Sequence, residues 1–222
     1  MKRVISVLLA ILIPFILFIA SITALSQIPF FYSHGFDKFG TVGNAGIDAE
    51  SKEIADMMVD FITGSREEFQ IAAAVNGIKR ELFNPKEQKH MEDVRQLIQM
   101  GNKISIIGVV AAVFLYILLY MKDKNAIRTA YKISIGVFVF FLTAMALISI
   151  IDFNEGFTIF HELLFTNDLW LLDPNQDILL MLMPLEFFMD ALKTALIINI
   201  SAMIIIGVIT WKITKTRKRL FP

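Results

Sequence analysis

Four long apolar runs alternate with polar segments along the chain. They fall within residues 1–26, 104–121, 133–151 and 195–211, and the first becomes continuously apolar at Val4. A helix needs about 17–25 apolar residues to cross a bilayer, and a charged side chain at bilayer depth is costly. The pattern therefore predicts a mainly α polytopic membrane protein with four transmembrane helices.

The basic residues beside these runs predict the orientation. Lys and Arg are concentrated in residues 1–3, 122–132 and 212–222, whereas residues 152–194 contain one such residue, Lys193, against eight acidic ones. Cytoplasmic loops carry an excess of Lys and Arg. We therefore predict that both termini and a loop at 122–132 are cytoplasmic, the C terminus as a basic tail at 212–222. Residues 27–103 and 152–194 then lie outside.

The first outer segment is too long to be a simple connection, and its pattern predicts internal structure. Apolar residues recur at helical spacing in residues 50–64, which predicts a helix. The dipeptide Asn76-Gly77 separates two β-prone runs and predicts a two-residue hairpin. We expect this segment to form a structured extracellular loop of helices and a β-hairpin.

A second helix is predicted at the end of the same segment. Asn84 has the chemistry of an N-cap, Pro85 suits the first helical position, and Glu87 completes a capping pattern. This helix carries His90 and is expected to run toward the second membrane span, with a break at Gly101-Asn102.

The segment 152–194 is rich in aromatic residues interspersed with acids. The acids disfavour a membrane span, whereas aromatics beside polar residues favour the bilayer interface. We predict short helices and turns at the outer headgroup level. An anchoring belt without chemistry explains the aromatics but not the histidine and acids among them. The aromatics are Phe153, Phe157, Phe160, Phe165, Trp170, Phe187 and Phe188.

Composition narrows the chemistry that these outer segments can perform. The chain has no cysteine, which rules out a disulfide framework, a thiolate metal site and a thiol nucleophile. No Gly-x-Ser-x-Gly elbow is present. The formal net charge is zero and no block of like charge predicts nucleic-acid binding.

All three histidines fall in the outer segments. Nothing beside His34 resembles a site, so we interpret it as a surface or packed imidazole. His90 precedes Glu92 and Asp93, and His161 lies among apolar residues, where desolvation favours the neutral ring that a general base requires. Two such histidines in separate outer segments favour catalysis, although three histidines with carboxylates are also compatible with a zinc site.

Several motifs in these segments resemble one enzyme family. The stretch 155–188 contains Glu-Gly-Phe, Phe-His-Glu, Phe-Thr-Asn-Asp-Leu-Trp, Asp-Pro and Met-Pro-Leu-Glu-Phe-Phe in order, and residues 90–94 read His-Met-Glu-Asp-Val. Together with the four-span topology, they resemble the bacterial lipoprotein intramolecular transacylase family.

This resemblance implies a diacylglyceryl-modified lipoprotein substrate at the outer leaflet of the bacterial cell membrane. Its sn-2 acyl chain would move to the α-amino group of the N-terminal cysteine, giving a lyso-form lipoprotein without a cofactor. The resemblance implies His161 and His90 as the catalytic pair. Asp93, Glu162 or Asp168 would orient an imidazole, and Asn167, Trp170 or backbone amides would stabilise the oxyanion. Other matched residues expected to support the site or bind substrate are Phe160, Phe165 and Glu186.

Three other classes remain as alternatives. A zinc-dependent membrane hydrolase would gather the histidines around a metal ion. A non-enzymatic sensor or accessory subunit would leave His90 and His161 far apart. A small transporter is disfavoured, because transporters place ionisable residues inside their spans, whereas these spans contain Asn199 and scattered Ser and Thr.

Overall fold

The structure is a computed structural model that describes residues 2–151 and 153–215, without the side chains of 145, 146, 148–151 and 153. Asp152 and the basic residues Arg217, Lys218 and Arg219 of the predicted tail lie outside the described residues. The described chain is mainly helical, as predicted. In chain order its elements are α1 Lys2–Leu25, α2 Pro29–Phe39, α3 Thr41–Asn44, β1 Ile47–Asp48, α4 Ser51–Thr63, β2 Ala72–Val75, β3 Ile78–Glu81, α5 Pro85–Lys122, α6 Lys124–Ile151, α7 Phe153–Leu164, α8 Ile178–Leu182 and α9 Leu185–Thr214.

These elements form two compact units. The first, here the membrane unit, comprises Met1–Ser21, Lys103–Phe153 and Leu196–Pro222. The second, the polar unit, comprises Ile22–Asn102 and Asn154–Ala195. Both histidines of the predicted catalytic pair belong to the polar unit.

Four helices of the described residues are long and apolar enough to cross a membrane, which confirms the four predicted spans. They are α1, α5, the Lys124–Ala144 part of α6, and α9. Within the membrane unit, interhelical contact is made by buried Leu9, Leu119, Ile127 and Met203. Much of the remaining apolar surface is exposed, as a lipid-facing surface requires.

Two helix boundaries differ from the predicted ones. Helix α5 is continuous through Gly101 and Asn102, so the predicted break is wrong. One glycine inside a long helix costs only about 1 kcal/mol relative to alanine, which the flanking turns tolerate. In addition, α6 begins at Lys124, so most of the basic segment 122–132 is helical. Asp123 caps this start by accepting a hydrogen bond from the Asn125 backbone N–H at 3.0 Å.

The polar unit contains an antiparallel three-stranded sheet in the order β1-β2-β3. Val75 pairs with Ile78 across the turn, and Asn76 and Gly77 have φ of 51° and 81°. Both central residues thus have the left-handed conformation of a type I′ turn, which confirms the predicted hairpin. Strand β1 was not predicted, because two residues carry no recognisable alternation.

The core of the polar unit forms against α4. The predicted helix over 50–64 is confirmed as Ser51–Thr63, and it ends at Gly64 with φ 92°. Its apolar face buries Ile54, Met58 and Phe61, and the Phe61 ring packs against Phe69 at 5.2 Å between centroids. The same buried cluster includes residues of α2, α8 and the start of α9.

The fit of α2 against the start of α9 yields a stability prediction. A Cβ placed on Gly35 would lie 2.7 Å from ring carbons of Phe187. Gly35→Ala should therefore cost about 1–3 kcal/mol in overpacking, more than the gain of up to about 1 kcal/mol in helix propensity. Gly43→Ala is the matched control, because a Cβ placed on Gly43 would have no neighbouring atom within 4 Å. Thermal unfolding in detergent should show a lower Tm for Gly35→Ala alone; equal Tm values would contradict the close packing.

Candidate active site

His90 is positioned by the capped start of α5. The Asn84 side-chain oxygen accepts the backbone N–H groups of Lys86 at 2.9 Å and Glu87 at 3.1 Å. Glu87 returns a bond by accepting the Asn84 backbone N–H at 2.7 Å. This reciprocal capping box confirms the predicted helix start. One turn later, His90 is buried, with 7% of its surface exposed.

His161 is held by its own helix, α7. Its Nδ1 lies 2.7 Å from the carbonyl oxygen of Phe157, four residues earlier. A carbonyl oxygen can only accept, so Nδ1 carries the proton and donates. This fixes the tautomer in which Nε2 presents a lone pair, as a general base requires. His161 is also buried, with 7% exposure.

The two imidazoles face each other within an aromatic enclosure. Their ring centroids are 6.2 Å apart, although 71 positions separate them in the chain. Phe165 packs against His90 at 5.4 Å and against His161 at 5.6 Å. Trp170 stacks on His161 at 4.9 Å with 28° between the planes, and Phe160 meets it edge-on at 5.3 Å. The sensor alternative, which places the histidines far apart, does not fit this geometry.

Burial keeps both imidazoles neutral. Desolvation, followed by repulsion from His161, lowers the pKa of His90 to about 4, against a smaller opposing effect of Asp93. Desolvation also lowers the pKa of His161, although the hydrogen bond to Phe157 acts in the other direction. Near neutral pH, both rings are therefore uncharged and able to exchange protons with a substrate.

Asp93 and Asn167 pair with each other. The Asn167 side-chain amide donates to Asp93 at 2.9 Å, while its oxygen accepts the Leu169 backbone N–H at 3.0 Å. The pair links the helix of His90 to the loop that carries Trp170. Asp93 lies close enough to His90 to affect its pKa, but in this structure both residues are engaged with other protein groups.

Three other acids of the matched motifs make no hydrogen bond to the imidazoles. Glu162, Asp168 and Glu186 are exposed, and among the described residues none of them hydrogen bonds to either ring. The expectation that a carboxylate orients the imidazole is not met for His161, because the Phe157 carbonyl occupies that role. Sequence gives no signal for this contact, since every helical residue has a carbonyl four positions before it.

The structure also bears on His34 and on the zinc alternative. His34 is exposed and stacks on Phe30 at 5.5 Å between centroids. Within residues 2–151 and 153–215, no three His, Asp or Glu side chains are grouped so as to hold a metal ion.

Comparison with known proteins agrees with the fold. The family model for the lipoprotein intramolecular transacylase Lit matches residues 7–188. The in meso structure of the membrane integral lipoprotein intramolecular transacylase Lit from Bacillus cereus is similar, with a TM-score of 0.76 and 23% identity over 96% of this chain and 95% of that chain. Two variants of that protein, with one histidine replaced by arginine or by alanine, give TM-scores of 0.74 and 0.73 at 22% identity, over 96% of this chain and 92% and 93% of theirs.

No curated protein matches this chain. The family match nevertheless covers most of its length, and it includes both buried histidines and the loop that carries Trp170. The chain is thus a multi-pass membrane protein and an acyltransferase, and it belongs to the lipoprotein intramolecular transacylase family.

Proposed function

We propose that this enzyme moves the sn-2 acyl chain of a diacylglyceryl-modified lipoprotein to the α-amino group of the lipid-bearing N-terminal cysteine. The observation that carries the proposal is the pair of buried, neutral imidazoles 6.2 Å apart in a chain of this family. Ester and amine belong to the same substrate molecule. Catalysis therefore requires mainly that the site hold the two groups in contact and manage one proton.

His161 acts as the general base in this scheme. Its Nε2 takes a proton from the amine as the nitrogen attacks the ester carbonyl, which forms a C–N bond. The tetrahedral intermediate collapses by breaking the C–O bond, and His161 returns the proton to the glyceryl oxygen. The products are an amide and a free hydroxyl, so no net proton or co-reactant is needed.

His90 acts as a neutral hydrogen-bond donor to the oxyanion. With a pKa of about 4, it stays uncharged and keeps one N–H. Its buried Nδ1 has no hydrogen-bond partner among the described residues, so this polar atom is free to bind a substrate group. A preorganised donor at the developing charge stabilises the transition state more than the ground state.

Apolar surface beside the histidines suits the acyl chains. On α7, the helix of His161, Phe160 is 51% exposed and Leu163 is 79% exposed. Exposed apolar side chains of this size favour contact with lipid over water. Trp170 and Phe165 cover the imidazoles themselves and limit the access of water, which would otherwise compete with the amine.

The proposed topology places the site on the outer side of the cell membrane. In the membrane unit, Lys2 forms an ion pair with Asp123 at 3.3 Å. Arg128 donates to the Thr214 side chain at 2.6 Å and to its carbonyl at 2.9 Å. These contacts group the start of α1, the α5–α6 connection and the end of α9, which supports a common cytoplasmic side under the positive-inside rule.

The pH profile follows from the two groups that must be neutral. We expect kcat/KM to rise up to pH about 8, because the substrate α-amine has a pKa of about 7.7–8.0. His161 must also be unprotonated, and its pKa lies below the ordinary 6.5. The plot of log kcat/KM against pH should therefore become steeper only below pH 6.5. Initial rates in vesicles over pH 4–9 check this; a second inflection above pH 6.5 would contradict a buried His161 base.

Tandem mass spectrometry tests the reaction itself. The purified protein in vesicles is incubated with a synthetic diacylglyceryl lipopeptide that has a free α-amine. The total mass should stay constant, because the transfer is intramolecular. Fragment ions that have lost the thioether-linked glyceryl group should gain one acyl chain, and the group lost should carry one acyl chain instead of two. A loss of one acyl chain from the total mass would instead indicate hydrolysis and favour the hydrolase alternative.

A further inference from the structure

The starts of α5 and α8 are joined through two buried carboxylates. Glu87 is 1% exposed and Asp177 is 7% exposed. Carboxylates buried to this extent require strong hydrogen-bond partners. Burial also raises the pKa of Glu87, while its backbone hydrogen bonds from Leu179 and Asn84 oppose that rise. The hydrogen-bond partners of the two carboxylates show how they connect the two helices.

The two helices exchange their caps. Leu179 is the second residue of α8, and its backbone N–H has no partner inside that helix. It donates to Glu87 of α5 at 2.7 Å. Asp177, at the N-cap of α8, instead accepts the Asn84 side-chain amide at 2.7 Å and the Asp173 backbone N–H at 2.7 Å. The cap residue of each helix is therefore tied to the other helix.

This exchange connects the elements that carry the two histidines and their cover. Glu87 precedes His90 by three residues and so lies on the same face of α5. The loop that ends at Asp177 carries Trp170, which stacks on His161. Lys86 adds a bond from its amine to the Leu171 carbonyl, next to Trp170. The exchanged caps thus tie the helix of His90 to the loop that covers His161.

We propose that Asn84, Glu87 and Asp177 are positioning residues that set the separation of His90 and His161. The inference rests on the proposed function for its kinetic consequences, although its geometric content is independent of it. None of the three side chains needs to touch substrate, because they act through the two imidazoles. Their side-chain oxygens already accept hydrogen bonds within the protein.

A side-chain exchange tests the Asn84–Asp177 contact. Asp177→Asn places two amide donors against each other, and Asn84→Asp places two carboxylates against each other. In the double variant, donor and acceptor change places, and every hydrogen bond of both side chains can form again. Each single change should lower kcat by up to about 10²-fold through misplacement of the imidazoles, with KM little changed. The double variant should recover a kcat near that of the wild type.

A matched control separates positioning from simple stability. Ile62 is a buried residue of α4 in the same unit, with 2% of its surface exposed. Ile62→Val should lower Tm but leave kcat per folded protein near the wild-type value. The ¹⁵N signals of the His90 and His161 rings provide a readout without turnover. They should shift in the single variants, return in the double variant, and remain unchanged in Ile62→Val.

The outcomes decide the inference independently of the proposed reaction. Wild-type kcat per folded single variant with unmoved ring signals would overturn it, as would a double variant no better than the singles. If Asp177→Asn fails to fold, Glu87→Gln removes one acceptor at nearly constant volume and should show the same kcat loss and ring shifts. If the wild type transfers no acyl chain, the proposed function fails, and the ring signals alone decide the positioning role.

Discussion

His161→Ala is expected to lower kcat for acyl transfer by about 10²–10⁴-fold, the range that general acid–base catalysis contributes. The reason is that the Phe157 hydrogen bond keeps the proton on Nδ1, so that Nε2 of this ring presents a lone pair. Removing the ring leaves no base at that point to take the amine proton. Initial rates with a synthetic diacylglyceryl lipopeptide measure the effect, with folding checked by Tm.

His34→Ala is the control for this experiment. His34 is exposed and stacks on Phe30. The His34→Ala substitution should therefore leave both kcat and Tm close to the wild-type values. A folded His161→Ala protein with full activity would remove the general base from the mechanism and leave the family assignment without its proposed chemistry.

His90→Ala has the second largest expected effect, a fall in kcat of about 10²–10³-fold, as for the loss of one oxyanion donor. Because the donor acts on charge that develops in the transition state, KM should change little. His90→Gln retains an N–H donor on a side chain of similar reach and should recover part of the loss. Initial rates over a range of lipopeptide concentrations separate kcat from KM.

The pH profile distinguishes the two histidines. In His90→Ala, the steepening below pH 6.5 should persist, because it reports the protonation of His161. If that steepening disappears in His90→Ala but persists in His161→Ala, the base and donor roles are reversed.

The membrane spans could be predicted from the sequence because their signal is local. An uncharged apolar run long enough to cross a bilayer has few alternatives. The hairpin at Asn76-Gly77 and the capping box at Asn84 are equally local, since each depends on residue types a few positions apart. The continuity of α5 through Gly101 and the start of α6 at Lys124 were less predictable, because good helix formers such as Lys and Arg extend a helix beyond its apolar run.

The site was predictable in its residues but not in its contacts. His90 and His161 could be selected by residue type and resemblance, but their approach to 6.2 Å depends on how two distant segments pack. The Phe157 carbonyl and the bond from Leu179 to Glu87 involve backbone atoms, which every residue has. Sequence identifies such partners only once the fold has brought the segments together.

The central claim is that the sn-2 chain moves within one molecule. The most direct measurement uses two lipopeptides of different peptide sequence, mixed with the enzyme in vesicles. One carries an isotope-labelled chain at sn-2 only, and the other is unlabelled. We predict that tandem mass spectrometry finds the label on the α-amine of its own peptide and nowhere else. Label on the α-amine of the second peptide, or released as free fatty acid, would contradict intramolecular transfer by this enzyme.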